Sequence, residues 1–310
     1  MSNSLVSVVM IAYNHRPYIV EALQGVLCQE GDFEMEIILS DDNSTDGMEE
    51  VIIGFINDNP RGECIRYTRH DKNIGMMKNL IWSLNQCKGE FIAICEGDDF
   101  WIDPTKLQCQ ISFLKSNPDF SLTYHPALVL EKNGNLVEDF IAERNFYAEV
   151  SNRLDLAIFG NYIHTPTVVF RNYRFTIPSF FEKLKIGDYF LYLLISKYGK
   201  IKRFPQNFAV YRNEVGVFSS QSMEKKRNDF KMSIRTFYKE CSDFQLKIIL
   251  FLRFNYSNLF DTNRKFTHSN LPTNIWDCIN YISVISFFKS LRFFIFRHEY
   301  KRVYGIRFPR

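Results

Sequence analysis

The chain reads as an α/β protein built on a mostly parallel sheet flanked by helices, and its first hundred or so residues carry that reading. Short apolar runs of strand length alternate with helical patterns of about ten residues, an order that argues for right-handed crossovers and a sheet covered on both faces. Polar clusters fall at the carboxyl ends of three of those runs: Asn14, then Asp41 and Asp42, then Glu96, Asp98 and Asp99. Open parallel sheets bind ligands along that edge, so the three clusters are expected to share one site.

Residues 5–12, Leu-Val-Ser-Val-Val-Met-Ile-Ala, form a nearly continuous run of strand formers, too short for a membrane span. The run breaks at Tyr13-Asn14-His15-Arg16-Pro17, after which Ile19, Ala22, Leu23, Val26 and Leu27 recur at helical spacing between Tyr18 and Cys28. A second strand, Glu36 to Ser40, ends in Asp41-Asp42-Asn43-Ser44-Thr45-Asp46-Gly47 and leads into a helix through Phe55. Ser44 or Thr45 is the expected cap of that helix. Capping needs one such residue and does not account for two adjacent aspartates. A short strand from Cys64 to Thr68, the turn Asn73-Ile74-Gly75 and a helix over Met76–Gln86 precede the fourth strand at 91–95.

That strand, Phe91-Ile92-Ala93-Ile94-Cys95, fits a buried parallel position, and Glu96-Gly97-Asp98-Asp99 follows it at once. Carboxylates this close repel one another unless a cation sits against them. Glu96, Asp98 and Asp99 therefore read as oxygen ligands for Mg²⁺ or Mn²⁺, ions that keep positions open for phosphate oxygens. The plainer reading is an acidic turn, with Asp99 capping a helix near Pro104. Asp41 and Asp42, acceptors at a neighbouring strand end, suit the N–H and hydroxyl donors of a base and a ribose.

Further on, Asp103-Pro104-Thr105 reads as an N-cap with proline at the first helical position, and Leu107, Ile111 and Leu114 mark one face of a helix to Ser116. Phe120–Leu130 reads as one strand, returning through Leu136 and Val137 after the turn Lys132-Asn133-Gly134-Asn135. A helix-containing excursion is expected over 145–159. Gly187-Asp188 then opens a strongly apolar helix that ends at Tyr198-Gly199, and on structural grounds alone Asp188 is an ordinary cap. Ile201–Tyr211 reads as an edge strand.

A net charge of +3 is too small to argue for a nucleic-acid partner. Seven cysteines scattered singly, without a CxxC pair, point to reduced thiols and a cytoplasmic protein rather than a disulfide framework. The N-terminus lacks a basic leader, and no uninterrupted apolar stretch reaches membrane-spanning length.

Four segments, Val-Ser-Val-Val-Met-Ile-Ala-Tyr-Asn, Ile-Leu-Ser-Asp-Asp-Asn-Ser-Thr-Asp-Gly, Asn-Ile-Gly-Met-Met-Lys-Asn and Glu-Gly-Asp-Asp-Phe-Trp, resemble the ordered motifs of the family 2 glycosyltransferases. The resemblance covers residues 5 to about 115 and implies a GT-A fold. It also implies inverting transfer from a nucleotide-diphosphate sugar, UDP or GDP linked, to a hydroxyl of a glycan or lipid-linked acceptor in cell-surface polysaccharide synthesis. By it, Ala12, Tyr13 and Asn14 border the nucleotide, Asp41 contacts the base beside Asp42, and Asn73, Lys78 and Asn79 lie near base, ribose or diphosphate. Glu96-Gly97-Asp98 stands where the family has Asp-X-Asp, with Glu96 replacing the first aspartate, and Asp98 is thereby close to both metal and nucleotide. Asp188 matches the base that deprotonates the acceptor hydroxyl. His164 and Thr165 are candidates for acceptor contact, although a lone histidine is more often a satisfied structural residue. Tyr211 to Ser220 resembles a loop that closes over the donor, with Arg212 a candidate diphosphate contact and Glu214 in place of a histidine.

From about residue 224 the composition turns to Phe, Ile, Lys and Arg, notably Lys225-Lys226-Arg227, 244–254 and 279–302. Helices of this kind fit peripheral contact with an anionic membrane at its cytoplasmic face. They equally fit a small bundle packed on the catalytic domain or on a second copy in a homo-oligomer. The organisation expected is a catalytic domain over 1–222, with a nucleotide-binding half (1–115) and an acceptor half (116–222), and a helical C-terminal extension over 223–310. Two other classes stay open: a nucleotidyltransferase, which calls for a basic glycine-rich loop after the first strand where Tyr13-Asn14-His15 stands, and a non-catalytic nucleotide-sugar binding protein.

Overall fold

Four parallel strands come first in the computed structural model, which describes residues 4–138, 149–174, 176–216 and 218–243, together with 246, 247 and 250. β1 (Ser4–Ala12), β2 (Phe33–Asp41), β3 (Ile65–Arg69) and β4 (Phe91–Ile94) lie in the order β3-β2-β1-β4, so the winding reverses between β1 and β4. The register pairs Ala12 with Asp41 and Val9 with Ile94, which brings their carboxyl ends to one edge. β1 is buried from Val6 onward and β4 along its whole length, which is why both read as nearly continuous apolar runs.

Side chains alternate across β1 into two cores. Val6, Val8 and Met10 pack with apolar residues of α1 (Ile19–Leu27), α2 (Met48–Asp58) and α4 (Lys106–Ser116). Val9 and Ile11 face α3 (Met76–Gln86), α5 (Arg153–Phe159), α6 (Asp188–Ile195) and α7 (Met223–Glu240). The sheet continues past β4 as β10 (Val169–Arg171), β6 (Phe120–Tyr124), β11 (Lys200–Arg203) and β9 (Val150–Ser151), with β10 antiparallel to both neighbours. A second sheet has the order β5-β12-β7-β8, from Phe100–Trp101, Ala209–Arg212, Leu128–Leu130 and Leu136–Glu138.

Two expected strands are therefore each divided between the sheets. Phe120–Leu130 breaks at His125-Pro126-Ala127, where proline offers no N–H to a ladder, and its halves become β6 and β7. Ile201–Tyr211 breaks at Phe204-Pro205 for the same reason, and neither half is an edge: β11 lies between β6 and β9, β12 between β5 and β7. Three helix ends also differ from expectation. Gly47 is the N-cap of α2, and Asp46 Oδ1 accepts from Met48 N at 3.1 Å, so neither Ser44 nor Thr45 caps it. α4 starts at Lys106, with Asp103 Oδ1 accepting from Thr105 N at 2.8 Å ahead of it. α6 stops at Ile195. Gly199 serves close packing instead, since a Cβ there would stand 2.7 Å from Asp119 O.

Lys106 is fully buried, its Nζ 4.1 Å from the Trp101 ring centroid and donating to Gln110 Oε1 at 2.9 Å. Burial brings its pKa down to about 7. From there up to the ordinary lysine range the unfolded chain binds more protons than the folded one, so this residue makes stability rise with pH. Measured against Lys106→Met, wild-type protein should gain stability between pH 7 and 9 by at most about 1.4 kcal/mol per pH unit. Parallel stability curves for the two proteins would show that Lys106 stays charged in the fold.

α7 sends Ile234 and Phe237 into the core that holds Phe181 and Phe190, with the rings of Phe190 and Phe237 4.9 Å apart. Apart from Leu246, Lys247 and Leu250, the expected segments at 244–254 and 279–302 lie outside the described residues. Among the described residues no helix is long and apolar enough to cross a membrane, and the six cysteines are free.

Candidate active site

The carboxyl ends of β1, β2 and β4 open into a cavity of about 730 Å³, closed on the far side by α6, α7 and the segment before β10. Glu96, Asp98 and Asp99 follow β4, and each offers a carboxylate oxygen within 4.8 Å of the others. Asp98 is 6% and Asp99 1% exposed, so the repulsion is poorly screened. Burial and the neighbouring charges push the pKa of Glu96 up to about 8 and raise that of Asp99. Asp99 Oδ2 is buried without a hydrogen-bond partner. An oxygen-only donor set with an orphaned buried oxygen fits a hard divalent cation such as Mn²⁺ or Mg²⁺. Gly216 comes close to this cluster, and a Cβ there would lie 2.9 Å from Asp98 Oδ2.

The β1 and β2 ends are tied to each other and to the turn before α3. Asn14, at φ 57°, has its N–H on Ser44 Oγ at 2.8 Å and its Oδ1 accepting from Thr45 N at 2.9 Å. Ser44 in turn donates both N–H and Oγ to Asp41 Oδ1, at 2.8 and 2.6 Å, while Tyr67 OH donates to Asp41 Oδ2 at 3.1 Å. Asp42 accepts from Ile74 N at 2.7 Å and Gly75 N at 2.9 Å, which fixes Asn73 at the cavity wall. Asn79 reaches the cavity but donates to Ser40 O at 3.1 Å and lies beside His70 Nε2 at 3.1 Å.

Asp188 faces this edge from the first turn of α6, where Gly187 rather than the aspartate is the N-cap. Its Oδ2 accepts from Asn161 Nδ2 at 2.6 Å. Burial raises its pKa, partly offset by the Tyr189 N–H, the Asn161 amide and His164. Gly187 permits the turn to sit against α3, since a Cβ there would fall 2.5 Å from Met77 Sδ. His164 and Thr165 also line the cavity, the imidazole 4.7 Å from the Tyr211 ring.

Of the residues expected at the site, Ala12, Tyr13, Asp42, Asn73, Asn79, Glu96, Asp98, His164, Thr165 and Asp188 line one cavity. Asn14, Asp41 and Asp99 are not in its lining; they accept from Thr45 N, Ser44 Oγ and Arg212 N beside it. Lys78 and Arg212 stand apart from it. Lys78 Nζ pairs at the surface with Glu182 at 3.7 Å, and the Arg212 guanidinium is engaged by Glu21 and Asp98 O. Glu214 is half exposed and pairs with Lys132 at 3.5 Å. The lining also includes cations that the motifs do not mark, Lys185, Lys226 and Arg227, and His15, whose Nε2 is 3.8 Å from Asp98 Oδ2. Burial lowers the pKa of His15.

Residues 7–181 match the family described as Glycosyl transferase family 2. The chain belongs to glycosyl transferase family 2. Among curated relatives of this family 2 chain, the uncharacterized protein Rv1520 of Mycobacterium tuberculosis is 31% identical over 229 residues, covering 71% of this chain and 62% of that protein. The chain thus spans less than two thirds of that relative's length. The UDP-Glc:alpha-D-GlcNAc-diphosphoundecaprenol beta-1,3-glucosyltransferase WfaP of Escherichia coli is 34% identical over 116 residues, 37% of this chain and 43% of its own. The fold matches S. aureus TarS 1–349 in complex with UDP-GlcNAc, with TM-score 0.59 at 18% identity over 84% of this chain and 76% of that one. It also matches the mannosyltransferase PcManGT from Pyrobaculum calidifontis in complex with GDP-Man and Mn²⁺, with TM-score 0.57 at 16% identity over 83% and 72%. The α/β architecture is therefore the GT-A fold.

Proposed function

We propose that this chain is a metal-dependent, inverting glycosyltransferase. On this reading it moves a sugar from a UDP- or GDP-linked donor to a hydroxyl of a glycan or lipid-linked acceptor, in cell-surface polysaccharide synthesis on the cytoplasmic side. The observation that carries the reading is a single cavity in which Asp188 faces Glu96 and Asp98, with Asp42, Asn73 and Tyr13 along the same wall. The nucleotides named with TarS and PcManGT and the donor named for WfaP support the donor class. Nucleotidyl transfer is disfavoured by the turn after β1, whose Asn14 is committed to Ser44 and Thr45 rather than to a phosphate loop.

Asp188 takes the proton of the acceptor hydroxyl as that oxygen attacks the anomeric carbon from the face opposite the diphosphate, which gives inversion. Its raised pKa favours this role, because a carboxylate stripped of water is the stronger base. Asp42 and Asn73 position the nucleoside, and Lys226 and Arg227, in place of Lys78 and Arg212, face the diphosphate. A divalent cation held by Glu96, Asp98 and Asp99 would supply counter-charge for the departing diphosphate. Gly216 lets its loop lie against Asp98 and keep water from the donor.

Calorimetric titration with UDP, GDP, CDP and dTDP, each with and without Mn²⁺, tests the reading. One nucleotide is expected to bind, and to bind more tightly with the metal. Absence of binding by all four under both conditions would remove the donor assignment and the enzymatic reading with it.

A further inference from the structure

Arg212 lies at the end of β12, 7% exposed, behind the carboxylate cluster rather than in the cavity. Its backbone N–H donates to Asp99 Oδ1 and its Nη1 to Asp98 O, both at 2.8 Å. Nη2 pairs with Glu21 in the first turn of α1. The guanidinium carbon is 4.5 Å from the Phe100 ring centroid and 4.9 Å from that of Tyr18. One residue thus grips two successive residues of the acidic turn, the first by its carbonyl and the second by its carboxylate. It is itself held on two aromatic faces and by a carboxylate from another helix.

Charge and shape both matter in that position. A guanidinium does not lose its proton in a protein, so the carboxylates keep a fixed positive charge behind them whether or not a cation sits in front. Its planar fork can address Asp98 O and Glu21 together, whereas an ammonium on a lysine stem presents a single charged point to both. Placed so, it is not part of the cavity lining. Glu21 otherwise stands half exposed on α1, and Arg212 is the partner that connects it to the site.

Resting on the metal-binding reading above, we propose that Arg212 is a positioning residue for the metal ligands. Through Asp98 O and Asp99 Oδ1 it sets the Glu96–Asp99 turn in the arrangement that accepts a divalent cation, and Glu21 anchors it from α1. Glu21 is then a remote determinant of metal affinity that touches neither metal nor substrate.

Mn²⁺ affinity of the nucleotide-free protein, followed by loss of the free-ion electron paramagnetic resonance signal, tests this in wild type, Arg212→Lys and Glu21→Gln. Thermal midpoints and circular dichroism report the fold. Arg212→Lys should weaken Mn²⁺ binding by about 10- to 100-fold and Glu21→Gln by a smaller factor, with metal-free nucleotide affinity unchanged within about twofold. Wild-type Mn²⁺ affinity in both variants overturns the assignment and leaves the metal site standing. An Arg212→Lys protein that keeps Mn²⁺ affinity but binds metal-free nucleotide more weakly makes Arg212 a direct phosphate contact, which also overturns it. If Arg212→Lys does not fold, Glu21→Gln decides: normal Mn²⁺ affinity there overturns the assignment. Failure of the wild-type chain to bind Mn²⁺ removes the metal reading and this inference together.

Discussion

Asp188→Asn is expected to bind donor nucleotide as the wild-type chain does and to transfer sugar about 10²- to 10⁴-fold more slowly. The substitution keeps the shape of the side chain and its place in the first turn of α6, so the fold has little to lose. It removes the carboxylate at the start of α6 that lines the cavity with Glu96 and Asp98 and that accepts from the neutral Asn161 amide. kcat should fall while the dissociation constant of the nucleotide, measured by calorimetry, stays put. The companion variant Asn161→Ala gives a second readout. The Asn161 amide holds the Asp188 pKa down against burial, so its removal raises that pKa further. A base works only when deprotonated, so the acidic limb of the kcat/KM profile should move to higher pH. Retention of at least half of the wild-type transfer rate by Asp188→Asn would take the base away from this residue.

The parallel half of the fold was legible because β1 from Val6 and β4 throughout are buried and therefore appear as apolar runs broken only by Ser7, and the helix Met76–Gln86 fell where its apolar spacing placed it. The later strands have two to five residues, lie in mixed sheets and are interrupted by Pro126 and Pro205, so local pattern could not tell one strand from two. The site divides in a similar way. Glu96, Asp98, Asp99 and Asp188 were visible because acidic residues at strand ends and helix starts are chemically conspicuous. Side-chain direction was not visible: Lys78 and Asn79 are neighbours on α3, but a helical step of about 100° sends one to Glu182 at the surface and the other to Ser40 in the interior. Lys226 and Arg227 looked like the start of a basic tail. Only the packing of Ile234 and Phe237 beneath them shows that their helix forms part of the cavity wall.

Asp98→Asn should separate function from stability in opposite directions. Asp98 is the largest charge acting on Asp99 and on Glu96, and it raises the pKa of both. In the metal-free protein these like charges oppose folding wherever they are ionised, and removing one relieves the other two. The metal-free variant should therefore melt at or above the wild-type temperature, each 1 kcal/mol corresponding to roughly 2–4 °C in a chain of this size. Activity should move the other way. With one ligand lost, Mn²⁺ should no longer strengthen nucleotide binding, and kcat/KM should drop by about 10³-fold or more, the cost of several kcal/mol of charge stabilisation on the leaving diphosphate. Addition of Mn²⁺ should raise the wild-type midpoint and leave that of the variant unchanged. An acidic turn kept for capping alone predicts the reverse pair, a less stable variant with unaltered Mn²⁺ response, and that result would return Asp98 to the scaffold. A carboxylate cluster that costs the empty fold stability and gains it back on binding a cation is the thermodynamic signature of a site held for its ligand.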